Sequence, residues 1–358
     1  MKKFLSLALC AVLLLAFATP AAASYRSEAD AIIAYKTAES GAKNTAEWIK
    51  SLADGAGTEA EWYVMAASRL GYSDFEAYSQ ALAEYLGKNT QRGTNAQRCA
   101  LAFIAAGCES KYIAHTAEST IGSQGIMSYI WGLILLSCGA ESSQFTPEAL
   151  AEKIVSFRLS DGGFALSGKV SNVDVTAMAL AALAPYRESE TVNEAVESSL
   201  AFLSSVQTEN GGFISYGAEN CESAAQVIIA LTALGINPEV DARFIKNGKT
   251  AVDAVRSFAV GDGSFAHTAG AGTNEMATAQ ALHAFTALCL FENGGTLWSF
   301  EKPAGTPEGF RDFDTFSGEE AKENDFNVKN AVCIAVIAAC AVGIAITALL
   351  PKKKKKEE

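Results

Sequence analysis

The sequence predicts an all-α fold, an (α/α)6 toroid or barrel of helical-hairpin repeats, over residues 24–300. Ala- and Leu-rich segments with helical spacing recur along this range, and no strand-like alternation of apolar and polar residues persists. A glycine-containing turn also repeats three times, as DGGF at 161–164, NGGF at 210–213 and GDGSF at 261–265. The phenylalanines of these turns lie 49 and 52 residues apart, a period typical of helical repeats.

Each turn joins two helical segments of different character. The segment before the turn is amphipathic and the segment after it is apolar on most sides. Because a helix that is apolar all round is buried and a one-sided helix faces water, each repeat is predicted to contain an outer helix, a turn and an inner helix. Three weaker apolar segments upstream bring the candidate inner helices to six, which favours a closed ring. An open solenoid built from the same pairs is the alternative.

The beginning of the chain predicts export. Lys2 and Lys3 precede an apolar run, and small residues near Ala23 offer a cleavage site. Residues 1–23 are therefore predicted to be a signal peptide.

The end of the chain predicts a membrane anchor. Residues 301–328 are acidic and interrupted by Pro and Gly, which is typical of a flexible stalk. An uncharged run of 20 residues follows, so a transmembrane helix is predicted at 329–350, with a buried core helix as the alternative. The lysines of the tail at 351–358 favour the cytoplasmic side. We expect a single-pass protein of a plasma membrane, bacterial in type, with the ring outside.

The charge of the chain excludes one class of partner, and its cysteines indicate free thiols rather than a disulfide framework. The net charge is −12 although both ends of the chain are basic, so the predicted ring is strongly acidic and nucleic acid is not an expected partner. An odd number of cysteines lies outside the signal and the span, mostly in apolar helical runs, and we predict buried thiols. One disulfide remains the alternative. These residues are Cys99, Cys108, Cys138, Cys221 and Cys289.

The second of the three turns carries a recognisable motif. Gln207, Gly211 and Phe213 resemble the QW motif of the prenyltransferase and squalene/terpene cyclase superfamily, with phenylalanine where tryptophan is usual. Arg158 and Ala259 replace the glutamine in the flanking copies. The resemblance is closest to bacterial cell-surface members, covers most of the predicted ring and implies the α/α-toroid fold. It does not imply one reaction.

The motif itself is predicted to be a structural joint. Its glycines can take a positive φ, which lets the following phenylalanine pack between helices. Gln207 ends an outer helix, so its side chain is expected to bond the backbone of the turn.

One candidate catalytic residue follows from the resemblance. Cyclases of the superfamily protonate their substrate with the middle carboxyl of a D-x-D-D-T-A motif, and the matching stretch here keeps Asp174 but lacks both flanking carboxylates. Ser171 and Asp174 have the spacing of a capping box, and the positive end of a helix favours the ionised carboxylate, a poor acid. Capping is the predicted role, and a terpene-cyclase-like enzyme with Asp174 as general acid is one alternative.

A metal site is a second alternative. Protein prenyltransferases hold zinc with D-x-C and a histidine from the next repeat, and Glu219 and Cys221 resemble the first pair. The position expected for the histidine is Ala277, although His267 lies in the preceding turn. Two protein ligands are fewer than a zinc site normally has, so no cofactor is expected. The alternative that this pattern offers is a degenerate zinc-dependent prenyltransferase-like enzyme.

The resemblance also implies where a ligand would bind. The N-termini of inner helices converge at one end of the ring, and the residues there should rim a central cavity with acidic character and one aromatic side chain. We predict a non-catalytic, membrane-anchored surface module that binds a small molecule or a protein at this mouth. The predicted rim consists of Asn172, Asp174, Tyr216, Asn220, Cys221, Glu222, Asn274 and Glu275.

Overall fold

The computed structural model describes residues 24–312, in which thirteen α-helices alternate between the outside and the inside of a ring. A two-stranded antiparallel hairpin, β1 (Ile214–Ser215) and β2 (Ala218–Glu219), precedes one inner helix. The helices are α1 (Tyr25–Glu39), α2 (Thr45–Ser51), α3 (Ala60–Arg69), α4 (Glu76–Lys88), α5 (Gly93–Ala105), α6 (Lys111–Ser119), α7 (Gly125–Ser137), α8 (Pro147–Val155), α9 (Val173–Leu183), α10 (Glu190–Val206), α11 (Cys221–Ala233), α12 (Ala251–Ser257) and α13 (Glu275–Glu292).

Six helices form the inner layer. Helices α3, α5, α7, α9, α11 and α13 contact one another in that order, and α13 also contacts α3, so the ring closes. Every residue of α11 from Cys221 to Thr232 is buried, whereas α10 buries one face through positions such as Val192, Val196 and Leu203. This confirms the predicted all-α toroid and excludes the open solenoid.

Asparagine caps three consecutive inner helices. Asn172, Asn220 and Asn274 each accept a hydrogen bond from the backbone N–H three residues on, at 3.0, 2.8 and 2.9 Å. An N-cap of this kind stabilises a helix by about 1 kcal/mol. The capping box predicted from Ser171 and Asp174 is therefore wrong, because Asn172 is the cap and the Ser171 hydroxyl donates to Asp161 at 2.7 Å.

The repeated glycine turns press against the next outer helix. Gly162, Gly211 and Gly263 all have positive φ, at 91°, 80° and 100°. A Cβ atom at any of them would collide with a backbone oxygen of a neighbouring outer segment. These oxygens belong, in chain order, to Ser198, Thr250 and Ala31, at 2.4, 2.3 and 2.6 Å. Since the third turn meets α1, the first helix of the chain completes the outer layer.

Gln207 joins two repeats, as predicted. Its Nε2 donates to the carbonyl of Gly211 at 2.9 Å within the turn and to the carbonyl of Phe244 at 3.0 Å in the following connection. In the preceding repeat, Arg158 takes this position and donates to Ser198 Oγ of α10 at 2.7 Å.

The chain after α13 closes one end of the ring. Leu297 is buried among Ala181, Ile229 and Ala287, which belong to the C-terminal halves of three inner helices. The next residue, Trp298, packs against inner-layer aromatic side chains. The chain after α13 thus covers the end of the ring at which the inner helices finish.

The first part of the predicted stalk lies on the ring. Phe310 packs against Phe103, with ring centroids 6.2 Å apart, and the Asp312 carboxylate accepts bonds from Ser110 Oγ at 2.8 Å and the Lys111 backbone at 2.7 Å. The composition of this stretch predicts flexibility. The sequence could not show these contacts, because a few isolated contacts leave no periodic pattern.

The remaining terminal predictions fall outside the described residues. They are the signal peptide at 1–23, the rest of the stalk, the transmembrane helix at 329–350 and the tail. Within 24–312, no helix combines the length and the apolar character needed to cross a bilayer. The five cysteines of this range are free thiols, four of them buried, as predicted.

Replacing Gly211 by alanine should destabilise the ring by about 3 kcal/mol or more, because the new Cβ meets both an unfavourable φ and the Thr250 backbone. Gly217 is the matched control: its φ is 97° but nothing lies within 4 Å of an added Cβ, so Gly217→Ala should cost only about 1 kcal/mol. Urea unfolding of the two variants measures the difference. Equal losses would contradict the proposed backbone contact.

Candidate functional site

The open end of the ring leads into a central cavity of about 390 Å³. Its walls come from the N-terminal parts of five inner helices, α3, α5, α7, α9 and α13, while Tyr216 reaches it from the β1–β2 hairpin. The hairpin turn needs positive φ at Tyr216 and Gly217, at 52° and 97°, and leaves Tyr216 59% exposed. The mouth therefore lies at the N-terminal end of the inner helices, as predicted.

Much of the cavity wall is apolar and aromatic. Trp62 and Trp131 have ring centroids 5.8 Å apart, and Trp131 lies 5.3 Å from Trp298. His283 completes this cluster, and burial lowers its pKa to about 4, so the neutral ring donates from Nε2 to the Trp62 carbonyl at 2.7 Å. Other apolar lining comes from Met127, Leu166, Val175, Met178 and Met276.

This lining corrects the predicted character of the mouth. The sequence predicts one aromatic side chain at the mouth, but Trp62, Trp131 and Tyr85 line the cavity besides Tyr216. The tryptophans could have been anticipated from their positions in the segments AEWYVMAASRL and IMSYIWGLILL, which are predicted inner helices.

Asp174 lies in the cavity wall at the start of α9. Its Oδ2 accepts a bond from Ser215 Oγ at 2.9 Å, and Asn172 Nδ2 donates to the same hydroxyl oxygen at 3.1 Å. Its Oδ1 is buried beside Ser223 without a hydrogen bond of normal length. Burial raises the pKa of Asp174, although the two serine hydroxyls and His267 act in the opposite direction. Desolvation thus opposes the ionisation that the helix terminus was expected to favour, and the net shift of the pKa is upward.

Three members of the predicted rim line the cavity, and five do not. Those that do are Asn172, Asp174 and Tyr216. The other five make contacts elsewhere in the fold. Asn220 and Asn274 cap helices, and the side chains of Cys221, Glu222 and Glu275 bond to other residues. The five are Asn220, Cys221, Glu222, Asn274 and Glu275.

Glu275 shows why the mouth is less acidic than predicted. Its carboxylate turns away from the cavity, accepting bonds from Lys36 Nζ at 2.9 Å and Tyr63 OH at 2.6 Å. It therefore ties α13 to α1 and α3. Asp174 is left as the acidic residue that lines the cavity within residues 24–312.

Glu222 pairs with a histidine from the next repeat. His267 Nδ1 lies 2.8 Å from the Glu222 carboxylate, which raises the pKa of His267. Burial raises the pKa of Glu222, and the bond to His267 opposes that rise.

The two candidate zinc ligands, Glu219 and Cys221, do not fit a metal site. Cys221 is fully buried, its thiol donates to the Ala277 carbonyl at 3.8 Å, and burial raises its pKa well above the usual range, so the thiolate needed by zinc is disfavoured. Glu219 lies beside Asn210 instead. Among residues 24–312, no three His, Cys, Asp or Glu side chains gather closely enough to hold a metal ion.

A buried ion pair that no sequence motif predicted lies beside the cavity. Arg98 on α5 lines the cavity, with Nε 3.4 Å from Glu61 Oε2 and the guanidinium 5.7 Å from the centre of the Trp62 ring. Glu61 is fully buried and accepts bonds from the Gly57 backbone at 2.6 Å and Tyr78 OH at 3.0 Å. The sequence does offer one sign of this pair, because Glu61 and Arg98 are charged residues inside two predicted inner helices.

The model of the prenyltransferase alpha-alpha toroid domain family matches residues 100–311, more than half of the chain. No curated protein matches the chain closely enough to count as a relative.

Two solved structures are similar in arrangement. One is the Candida albicans protein geranylgeranyltransferase-I complexed with GGPP, with 11% identity, a TM-score of 0.43, and coverage of 74% of this chain and 91% of that one. The other is the unsaturated glucuronyl hydrolase of Bacillus sp. GL1, with 13% identity, a TM-score of 0.41, and coverage of 78% and 89%. Similarity at this level supports no conclusion about activity.

The three histidines of the chain should titrate in a fixed order. We expect His283 to have the lowest pKa, about 4, His115 a pKa below the ordinary value because of burial, and His267 a pKa above it. Glu222→Gln should lower the pKa of His267 and leave that of His115 unchanged. NMR titration of the ring protons, assigned with single His→Gln variants, measures all three.

The raised pKa of His267 also determines how the stability of the fold changes with pH. Because the folded pKa of His267 lies above its unfolded value, the pair stabilises the fold fully below about pH 6.5, and this contribution is lost as the pH rises through the folded pKa. A His267 that titrates below His115 would contradict the pairing.

Proposed function

We propose, on the premise that the chain belongs to the prenyltransferase α/α-toroid family, that its central cavity binds one small, largely apolar molecule without transforming it. One observation carries the proposal: a cavity of about 390 Å³ opens among the N-terminal parts of the inner helices and is walled largely by tryptophan and methionine. Its volume lies in the range of about 300–1,000 Å³ common for ligand pockets.

The chemistry of the wall indicates how such a molecule would be held. Trp62 and Trp131 offer flat apolar surfaces, and methionine side chains adapt to irregular shapes. Asn172, Asp174 and Tyr216 add polar groups at the mouth that can orient the ligand. An apolar interior with a few polar groups is typical of small-molecule sites.

Two features support binding rather than catalysis. Asp174 lacks the flanking carboxylates that the cyclase motif uses, since Asn172 and Val173 precede it and Val175 follows it. The positions that resemble a zinc site, Glu219 and Cys221, have other partners.

Acid catalysis is the second candidate, and one observation favours it. Burial raises the pKa of Asp174, which is the change a proton donor needs, and aromatic side chains that could stabilise a carbocation line the same cavity. A terpene-cyclase-like protonation of an alkene would use this carboxyl.

We further propose that the ring is displayed outside the cell on a single membrane anchor. The support is in the sequence: a signal-like segment at 1–23, an uncharged run at 331–350 and a lysine-rich tail.

Added protease should release the ring from intact cells by cutting within 313–328. Resistance in intact cells, with cleavage after lysis, would contradict the outside location.

Filling the cavity should abolish binding. Met178 lines the cavity, so Met178→Trp should remove the added mass seen by native mass spectrometry when the full chain is purified gently from its host. Val206→Trp places the same side chain on the outer helix α10, at a position 37% exposed, and should retain the ligand. A bare polypeptide mass for the unsubstituted chain in every preparation would count against a tightly bound ligand.

Asp174→Asn separates the two candidates. For a binding protein, loss of the acidic group should weaken affinity by about tenfold or less while no turnover exists to be lost. For an acid catalyst, the variant should retain the ligand unchanged and lose turnover. Mass spectrometry of the bound molecule before and after incubation distinguishes the outcomes.

A further inference from the structure

We propose that Asn247 is a site of spontaneous modification, at which the side-chain amide is lost as ammonia and an aspartate or isoaspartate is formed. The inference is independent of any ligand in the cavity. Asparagine is a chemically labile residue, most of all before glycine, which has no side chain to shield the attacking backbone nitrogen. The chain contains three Asn-Gly pairs, at 210–211, 247–248 and 293–294. The fold therefore decides which of the three pairs reacts.

The reaction consumes water and needs no other reagent. The deprotonated backbone nitrogen of Gly248 attacks the side-chain carbonyl carbon of Asn247, a C–N bond forms between them, and the side-chain amide leaves as ammonia. Water then opens the resulting succinimide ring at one of its carbonyl carbons. One opening gives aspartate, and the other gives isoaspartate, in which the main chain runs through the side-chain carbon. In sum, each converted residue takes up a water molecule and releases ammonia.

Asn247 and Gly248 form the tip of an exposed hairpin. Both have positive φ, at 48° and 72°, as in a type I′ turn. Lys246 and Lys249 pair across this turn through backbone hydrogen bonds of 2.8 and 2.7 Å. Within residues 24–312, neither the Gly248 N–H nor the Asn247 side chain has a hydrogen-bond partner. The attacking nitrogen and the amide that it attacks are thus both open to water.

Asn210 is restrained by a turn that joins two repeats. The Gly211 N–H donates to the Thr208 carbonyl at 2.9 Å, so the attacking nitrogen is engaged. Gly211 also lies so close to the Thr250 backbone that a Cβ atom would not fit, and Asn210 Nδ2 lies 3.4 Å from the Glu219 carboxylate. The rotation that brings the backbone nitrogen to the side-chain carbonyl would disrupt this packing.

Asn293 is restrained by the end of a helix. It is the C-cap of α13, and its Nδ2 donates to the Cys289 carbonyl at 2.8 Å. The Gly294 N–H donates to the Phe291 carbonyl at 3.0 Å. Both reacting groups are therefore held by hydrogen bonds that cyclisation must break. In the described part of the chain, the reacting groups at Asn247 have no such bonds to lose.

Modification at Asn247 would act on a joint of the ring. The hairpin lies between Phe244, whose carbonyl accepts from Gln207 Nε2 at 3.0 Å, and Thr250, which packs against Gly211 and caps α12. Isoaspartate adds a carbon to the main chain between these two points and so alters the register of the turn. We expect the modified ring to unfold at a lower urea concentration.

Ageing of the purified full chain tests the site. The chain is incubated at mildly alkaline pH in water enriched in the heavy oxygen isotope, which labels each new carboxylate. Digestion in acid with a protease that cuts after glutamate then gives peptides whose masses report conversion at each pair. We expect Asn247 to convert about tenfold faster than Asn210 or Asn293, because those two must first break hydrogen bonds. In the urea-unfolded chain the three rates should become similar.

Three variants separate the reaction from its product. Asn247→Gln should block conversion, because its longer side chain forms the ring far less readily. Gly248→Ala should slow conversion by about tenfold, since an added Cβ has room there but shields the nitrogen. Conversion at Asn210 and Asn293 should not change in either variant. Asn247→Asp supplies the new charge without the extra main-chain carbon, so the aged unsubstituted chain should unfold at a lower urea concentration than this variant.

Two results would overturn the proposal. One is conversion of Asn210 or Asn293 in the folded chain at a rate equal to that of Asn247. The other is a difference between the three rates that persists unchanged in urea, because the fold would then not be its cause. An aged chain that is as stable as Asn247→Asp would overturn the effect on the joint.

Discussion

The fold depends on direct contact between glycine turns and the backbone of neighbouring outer helices. Gly211 approaches the Thr250 carbonyl so closely that no side chain could fit, and two further repeats use the same contact. Because each contact joins one hairpin to the next, it fixes the angle between successive repeats. The six hairpins together bring α13 against α3, and the apolar faces of the inner helices are buried without an exposed end.

The cavity is a consequence of that geometry. The first turns of the inner helices leave a space between them, and asparagine caps satisfy the N-terminal ends of three of these helices. At the opposite end of the ring, Leu297 and Trp298 pack against inner helices. The ring therefore supplies the cavity, and the identity of the lining residues decides what it can hold.

Much of the fold could be predicted from the sequence, because glycine turns and apolar helices leave periodic patterns. The bonds of Gln207 could be predicted for the same reason, since its place follows from the motif. The site was harder. Whether a carboxylate faces the cavity depends on partners from distant repeats, as Glu275 with Lys36 and Glu222 with His267 show. The pKa of Asp174 likewise depends on burial by elements that no local pattern reveals.

The closure of the ring has a consequence for synthesis in the cell. Helix α1 packs against α13, so the beginning and the end of the ring are neighbours although more than two hundred residues separate them. Such long-range contacts raise the contact order, which slows folding, and a nascent chain emerging from the ribosome cannot form them until α13 has been made. Until then the apolar face of the first inner helix lacks its last neighbour, and exposed apolar surface of this kind favours aggregation of a growing chain.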